Sequence, residues 1–214
     1  MKAKMIFTLV VLLFTGSFLM AQDEPEEEMQ TLFGDEKLTF GGYGGPRVAF
    51  SSFDSKDIWL VGGRGGVIIN HCFVLGGAGY GIVNSPLYND LVIDGVNYPS
   101  LYLQGGYGGL MLEGIFWSSK LVHFSVPVLI GAGGVMFSDK QYPDGDEDYK
   151  IHVIEHTPFF VIEPGIEAEL NVVRFMRLSA GVSYRYAPKA ELSNIPSNAF
   201  NSLNVSLSLK FGSF

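Results

Sequence analysis

Leu203-Asn204-Val205-Ser206-Leu207-Ser208-Leu209-Lys210-Phe211 alternates apolar and polar side chains without a break. A period of two puts Leu203, Val205, Leu207, Leu209 and Phe211 on one face of a β-strand, and Asn204, Ser206, Ser208 and Lys210 on the other. The stretch before it repeats the pattern. Met176, Leu178, Ala180, Val182, Tyr184 and Tyr186 alternate with Arg177, Ser179, Gly181, Ser183 and Arg185. Such strands fit a greasy inside or a greasy outside. Strand number decides between them.

Working back from this end, apolar-alternating segments fall near 38–53, 58–69, 72–83, 99–117, 121–137, 157–170, 174–187 and 202–212. Each is long enough for the roughly 9–11 residues that a tilted strand needs to cross a bilayer. Eight strands enclose a narrow interior. Five or six large apolar side chains from every strand would overfill it, so the apolar set is expected to face lipid. No amphipathic helix competes with this reading after Leu38.

The connections sort by parity. Asn70-His71, Ser118-Ser119-Lys120 and Asn171-Val172-Val173 are tight, whereas 84–98, 138–156 and 188–201 are long. The first connection, Asp54-Ser55-Lys56-Asp57, is short and lies on the side of the long ones. Short turns at one end and long loops at the other are the asymmetry of outer-membrane barrels. Aromatics near the expected strand ends (Phe50, Phe53, Trp59, Tyr98, Tyr102, Phe116, Trp117, Tyr184, Tyr186 and Phe211) suit interfacial girdles.

The start of the chain predicts export. Met1-Lys2-Ala3-Lys4 is basic, Met5–Met20 carries no charge, and Ala21 supplies a small residue, so residues 1–21 are expected to be a cleaved signal peptide. Residues 22–36, with Asp23-Glu24-Pro25-Glu26-Glu27-Glu28, read as an acidic periplasmic linker. Residues 37–214 are expected to form the barrel domain, spanning the membrane from about Thr39 to Phe211. The formal net charge of −8 becomes more negative once Lys2 and Lys4 are removed. That argues against nucleic acid, whose phosphates need clustered Lys and Arg. Cys72 is the single cysteine, so no internal disulfide is available.

The signal peptide ending in Ala21-Gln22, the Gly-rich strands and the aromatic C-terminus give the chain a resemblance. It resembles the small outer-membrane β-barrel proteins of Bacteroidota-type bacteria, relatives of the OmpA-like eight-stranded barrels. The likeness covers nearly all of residues 38–214 and is architectural. It implies an antiparallel up-and-down transmembrane barrel in the cell outer membrane. In one respect the chain departs from that pattern: Phe211 is in phase with the outward set and Phe214 is not.

Glycine pairs recur inside the strands, as in Gly41-Gly42-Tyr43-Gly44-Gly45, Gly62-Gly63-Arg64-Gly65-Gly66 and Gly105-Gly106-Tyr107-Gly108-Gly109. None has dinucleotide or P-loop spacing or opens a helix, so nucleotide binding is not expected. Inner-face glycine leaves room for Tyr43, Arg64 and Tyr107. The face assigned inward carries Arg47, Arg64, Arg177 and Arg185 with Glu113, Glu163, Glu167 and Glu169. Buried charges must be paired. Four of each sign suggest a salt-bridged lumen plug, with an ion or proton path as the alternative; the plug implies a structural or external-contact role through the outer loops, and the path a narrow channel or a transport or secretion accessory barrel. A sixth-to-seventh-strand hairpin turning at 171–173 would set Glu167 opposite Arg177, with Glu169 one diagonal step away.

His123-Phe124-Ser125 resembles the His-x-Ser spacing of outer-membrane lipid A deacylases, and an activated serine would need an orienting acid as well. This pair sits at the periplasmic end and faces inward, away from outer-leaflet lipid, so no enzyme activity is expected. Asp139, Asp144, Asp146, Glu147 and Asp148 around Gly145 could offer oxygen ligands to calcium. Their spacing is not that of an EF-hand, and a solvated acidic loop is expected. His71, His152 and His156 converge with no other ligands in the sequence, and neither metal nor cofactor is expected. The expected partners are outer-membrane lipid, the barrel-assembly machinery and an extracellular or envelope protein, met by a monomer through its outer loops.

This topology predicts a labelling pattern. Cysteines introduced in 84–98, 138–156 and 188–201, in a Cys72→Ser background, should react with an impermeant thiol reagent on intact cells. Labelling at Ser119 or Val172 instead would reverse the orientation.

Overall fold

The computed structural model describes residues 38–139, 152–188, 190 and 192–214. The signal peptide, the acidic linker and Asp144–Asp148 lie outside the described residues. Nine strands follow one another: β1 (Phe40–Phe53), β2 (Lys56–Ile69), β3 (Phe73–Ile82), β4 (Leu87–Ile93), β5 (Val96–Phe116), β6 (Val122–Ser138), β7 (Val153–Val173), β8 (Met176–Arg185) and β9 (Ser202–Ser213). All neighbours are antiparallel. The ring closes because β9 pairs with β1 while β3 pairs with β5 directly. Eight strands therefore make the barrel, and β4 stands outside the ring.

That extra strand lies within 84–98, read from the sequence as a loop. It forms because Asp94 and Gly95 both take positive φ, 50° and 79°, the type I′ geometry that folds a strand back on itself. β4 pairs with Tyr98–Tyr102 and Val96–Asn97 of β5, beyond the part of β5 that β3 uses. β5 and β7 reach 21 residues each, against 10 in β3 and β8. The surplus length projects a curled sheet of β4, β5, β6 and β7 past the loop end of the barrel.

Two connections are also corrected. Asp54-Ser55, with φ of 47° and 62°, turns β1 into β2 by itself, and Lys56 and Asp57 belong to the strand. Asn171, Val172 and Val173 are strand residues, and the chain turns at Arg174-Phe175. Asn171 holds the longer strand in place. Its backbone N–H donates to Leu121 O at 2.9 Å, and its amide donates to Ser118 and Lys120 carbonyls at 3.1 and 2.7 Å.

The alternation in β9 resolves in the direction that ring width requires. Asn204, Ser206, Ser208 and Lys210 are buried, while Leu203, Val205 and Leu207 are 54–60 % exposed. Every barrel strand shows large apolar side chains outward, among them Trp59, Val67, Leu75, Leu110, Ile130 and Ile166. Continuous apolar surface on this scale needs a nonaqueous neighbour. Trp59, Phe116, Trp117, Tyr184, Tyr186 and Phe211 are exposed near strand ends as a girdle requires. Phe53 is not among them, for it is fully buried inside the loop end. Tyr98 and Tyr102 are half-buried.

Leu207→Arg places a cation on the apolar exterior, and it should cost about 2–4 kcal/mol, as cations do at the middle of a barrel's lipid face. Ser206→Arg points into the lumen and should fail by crowding. Equal assembly of both variants in a heat-modifiability gel would invalidate the face assignment.

Candidate functional site: the barrel interior

Inner-face glycine is what lets a ring of eight strands hold large polar side chains. A Cβ at Gly133 would lie 2.5 Å from the Tyr107 Cβ and 2.7 Å from the Phe159 ring. One at Gly45, which faces Arg64 across the β1–β2 pair, would strike the Leu209 carbonyl oxygen. Space cleared in this way is filled by charge.

Nearest the turn end, the Lys210 ammonium sits between Glu113 and Glu169, 2.5 Å from the latter. Tyr43 donates its hydroxyl to Glu113. Glu169 also meets His123 Nε2 at 3.1 Å and Arg177 Nη1 at 3.6 Å. One step up the lumen, Arg64 forks onto both oxygens of Glu167, with Nη1 at 2.7 Å. Its Nη2 also reaches Ser179 and Ser208, each at 3.2 Å. Higher again, Glu163 accepts from Tyr107 at 2.5 Å, Ser183 at 2.6 Å and Arg47 at 3.3 Å, while Arg47 also donates to Tyr80 at 3.1 Å.

Arg185 lies at the top of this column and meets no carboxylate among the described residues. Its Nε donates to Phe200 O at 2.8 Å and its Nη2 to Ser52 O at 3.0 Å, and its guanidinium lies 3.8 Å over the Phe200 ring. Phe200 comes from the connection after β8. It packs on Phe159 at 4.8 Å, Phe53 at 5.4 Å and Tyr107 at 6.0 Å between ring centroids. Ionic groups thus fill the barrel to the level of Arg185, and apolar groups close it above.

All eight residues singled out from the sequence are buried in this interior: Arg47, Arg64, Glu113, Glu163, Glu167, Glu169, Arg177 and Arg185. Their partners differ from the expected ones at one point. Glu167 faces Gly181, not Arg177, because the hairpin turns at 174–175. Its arginine is Arg64, on the other side of the barrel. Among the described residues Arg177 has Glu169 as its one ion-pair partner, on the diagonal from the Glu169–Ser179 pair.

Counting Arg and Glu alone overlooks Lys210. The alternation of β9 puts it on the same face as Ser206 and Ser208, and with it the cations outnumber the carboxylates. Tyr80 is the other partner missed; Tyr43 and Tyr107, given room by the inner-face glycine, prove to donate to Glu113 and Glu163. Glu113, Glu167 and Glu169 bring carboxylate oxygens within 4.8 Å of one another, close enough to share a cation. Lys210 Nζ occupies that position, 3.9 Å from Glu167 and nearer the other two.

His123 and Ser125 are fully buried, with His123 Nδ1 and Ser125 Oγ making no hydrogen bond. Asp139, the described member of the acidic loop, meets exposed His152 at 3.3 Å. His71 lies in the β2–β3 turn and His156 on β7, apart from each other.

Replacing one member of a desolvated pair strands the other, which costs on the order of 3–5 kcal/mol. Arg64→Gln and Glu167→Gln should each destabilise strongly, and the double variant should lose clearly less than the two losses combined. Urea unfolding in detergent reads this, and additive losses would mean that the two side chains do not meet.

No protein-family model matches the chain, and no curated protein sequence matches it. Solved structures of similar fold are small outer-membrane barrels. Neisserial surface protein A (NspA) is 14% identical, with 82% of this chain and 99% of that one covered at a TM-score of 0.47. Ail, the attachment invasion locus protein of Yersinia pestis, was solved in complex with the heparin analogue sucrose octasulfate. It is 11% identical, covering 81% and 97% at 0.44. The N-terminal β-barrel domain of Pseudomonas aeruginosa OprF is 12% identical, covering 79% and 96% at 0.42.

Proposed function

We propose that the protein is a closed outer-membrane barrel of the Bacteroidota type, plugged by its own side chains, that acts through what it presents outside the cell. The observation that carries this reading is the filled interior. Arg47, Arg64, Glu163, Glu167, Glu169 and Lys210 are each at most 5 % exposed, and Phe200 seals the column above them. A pore needs a continuous polar path, and here water would have to displace both the ion pairs and the aromatic cap. The role left to such a barrel is structural or one of external contact. Among the described residues the projecting β4–β7 sheet is its most prominent outer feature.

The exterior supports the location, since apolar side chains face out around the ring and aromatics gather near its ends. Its partners are then outer-membrane lipid, the machinery that assembles barrels, and an envelope or extracellular protein at the loop end. A monomer suits a ring whose first and last strands pair and leave no membrane-level edge. The role is not enzymatic on this reading. His123 has a carboxylate beside it, but neither it nor Ser125 reaches any surface where a lipid could lie.

In planar bilayers the purified protein should give no discrete conductance steps. Stable steps in the wild type would overturn the closed-barrel reading and favour the narrow channel.

A further inference from the structure

The turn Arg174-Phe175 and the first residues of β8 border a cavity of about 630 Å³ at the turn end of the barrel. Ser118, Asn171, Arg174, Arg177, Ser213 and Phe214 line it. Arg177 is 4 % exposed, yet its Nε and Nη1 hydrogens find no hydrogen-bond partner. The carboxylate nearest to it, Glu169 at 3.6 Å, is already engaged by Lys210 at 2.5 Å and His123 at 3.1 Å. Arg174 is exposed and has no ion pair among the described residues. The Phe214 ring lies 4.0 Å from the Arg177 guanidinium and fixes its plane. Buried donors without acceptors are costly, and a planar guanidinium presents them as a fork matched to two oxygens.

The lumen's charge balance points the same way. Among the described residues, five buried inner cationic side chains face four carboxylate side chains. Of the two arginines left over, Arg185 donates from Nε and Nη2 to backbone carbonyls and stacks on Phe200, leaving Nη1 alone without a partner, whereas Arg177 leaves both Nε and Nη1 so. Its deficit is an acceptor with negative charge, at a mouth open to the aqueous phase.

We propose that this cavity binds a small oxyanion, a phosphate or carboxylate group arriving from the periplasmic side, with Arg177 as the fork and Arg174 at the rim. Phe175, which lines it, is 62 % exposed, and Trp117, next in sequence to the lining Ser118, is 68 % exposed, as barrel aromatics are where they meet headgroups. The same chemistry can therefore be supplied by a free solute or by a lipid headgroup.

The test uses the full chain folded in maltoside micelles, which contain no phosphate. Inorganic phosphate should raise the unfolding temperature saturably, as a ligand of the folded state does, and sodium chloride at equal ionic strength should not. Arg177→Gln and Arg174→Gln should each weaken phosphate binding about tenfold or more, the worth of a hydrogen bond to a charged group. Should Arg177→Gln fail to fold, Arg174→Gln carries the result. Lys56→Gln, at the opposite end, should bind like the wild type. Phosphatidylglycerol added to the micelles separates the sources: stabilisation that depends on Arg174 and is competed by phosphate assigns the headgroup, and phosphate acting alone assigns the solute. A shift reproduced by chloride, or retained in both arginine variants, overturns the site. Because conductance is measured separately, that failure would leave the closed-barrel reading standing.

Discussion

Eight strands enclose too little space for water to solvate a charge, and the interior of this barrel is organised around that shortage. Each carboxylate inside it is held several times over. Glu163 takes a tyrosine, a serine and an arginine; Glu167 takes a bidentate arginine and a serine. Desolvation makes any single pair a poor source of stability, and removal of one member a severe loss. Stability of the whole then rests on every partner being present at once. The serines of β8 and β9 and the bare backbone at Gly133 follow from the same constraint, since a larger side chain there would displace a partner such as Tyr107, whereas at Gly45 it would strike the Leu209 backbone of the adjoining strand.

Two solutions to filling the same ring meet at Arg185. Below it the inward positions carry charge and hydroxyls among a few apolar side chains such as Ile68, Val74 and Met111; above it they carry Phe53, Leu101, Leu103, Phe137 and Phe159. Arg185 can stand at that border because a guanidinium donates in its plane and stacks on its face. It bonds carbonyls laterally and packs against Phe200 above. The turn end lacks such a cover. Phe214, out of phase with the outward set of β9, reaches inward instead, 6.2 Å from Tyr43, and closes part of that mouth.

Much of this could be read from the sequence because the apolar period in β8 and β9 is unbroken and ring width fixes its direction. Inward charges could be found because period two carries Arg177 and Arg185, or Glu163, Glu167 and Glu169, onto one face. Partners could not. Pairing across a lumen depends on strand stagger, which local pattern does not encode, so Arg64 and Glu167 lie 103 residues apart in sequence and yet meet. Hairpin register failed where the turn did: Asn171 looks like a turn residue, but its amide bonds to the neighbouring turn and keeps the strand going. β4 was hidden by shortness, although Asp94-Gly95 is a hairpin signal that could have revealed it.

The connection after β8 has an effect beyond carrying Phe200. Among the described residues, β4 pairs on one side only, and Val153–Val161 of β7 likewise has a strand neighbour on one side. Ser193 donates its N–H and hydroxyl to Glu155 on β7, and the adjacent Asn194 donates its amide to the Val92 carbonyl on β4. Two consecutive residues thus tie both borders of the projecting sheet. Unpaired borders are templates on which a foreign strand can zip up. By engaging them from within, this segment leaves the sheet to be met by its faces and tips, and a chain seeking an open border would have to dislodge it first.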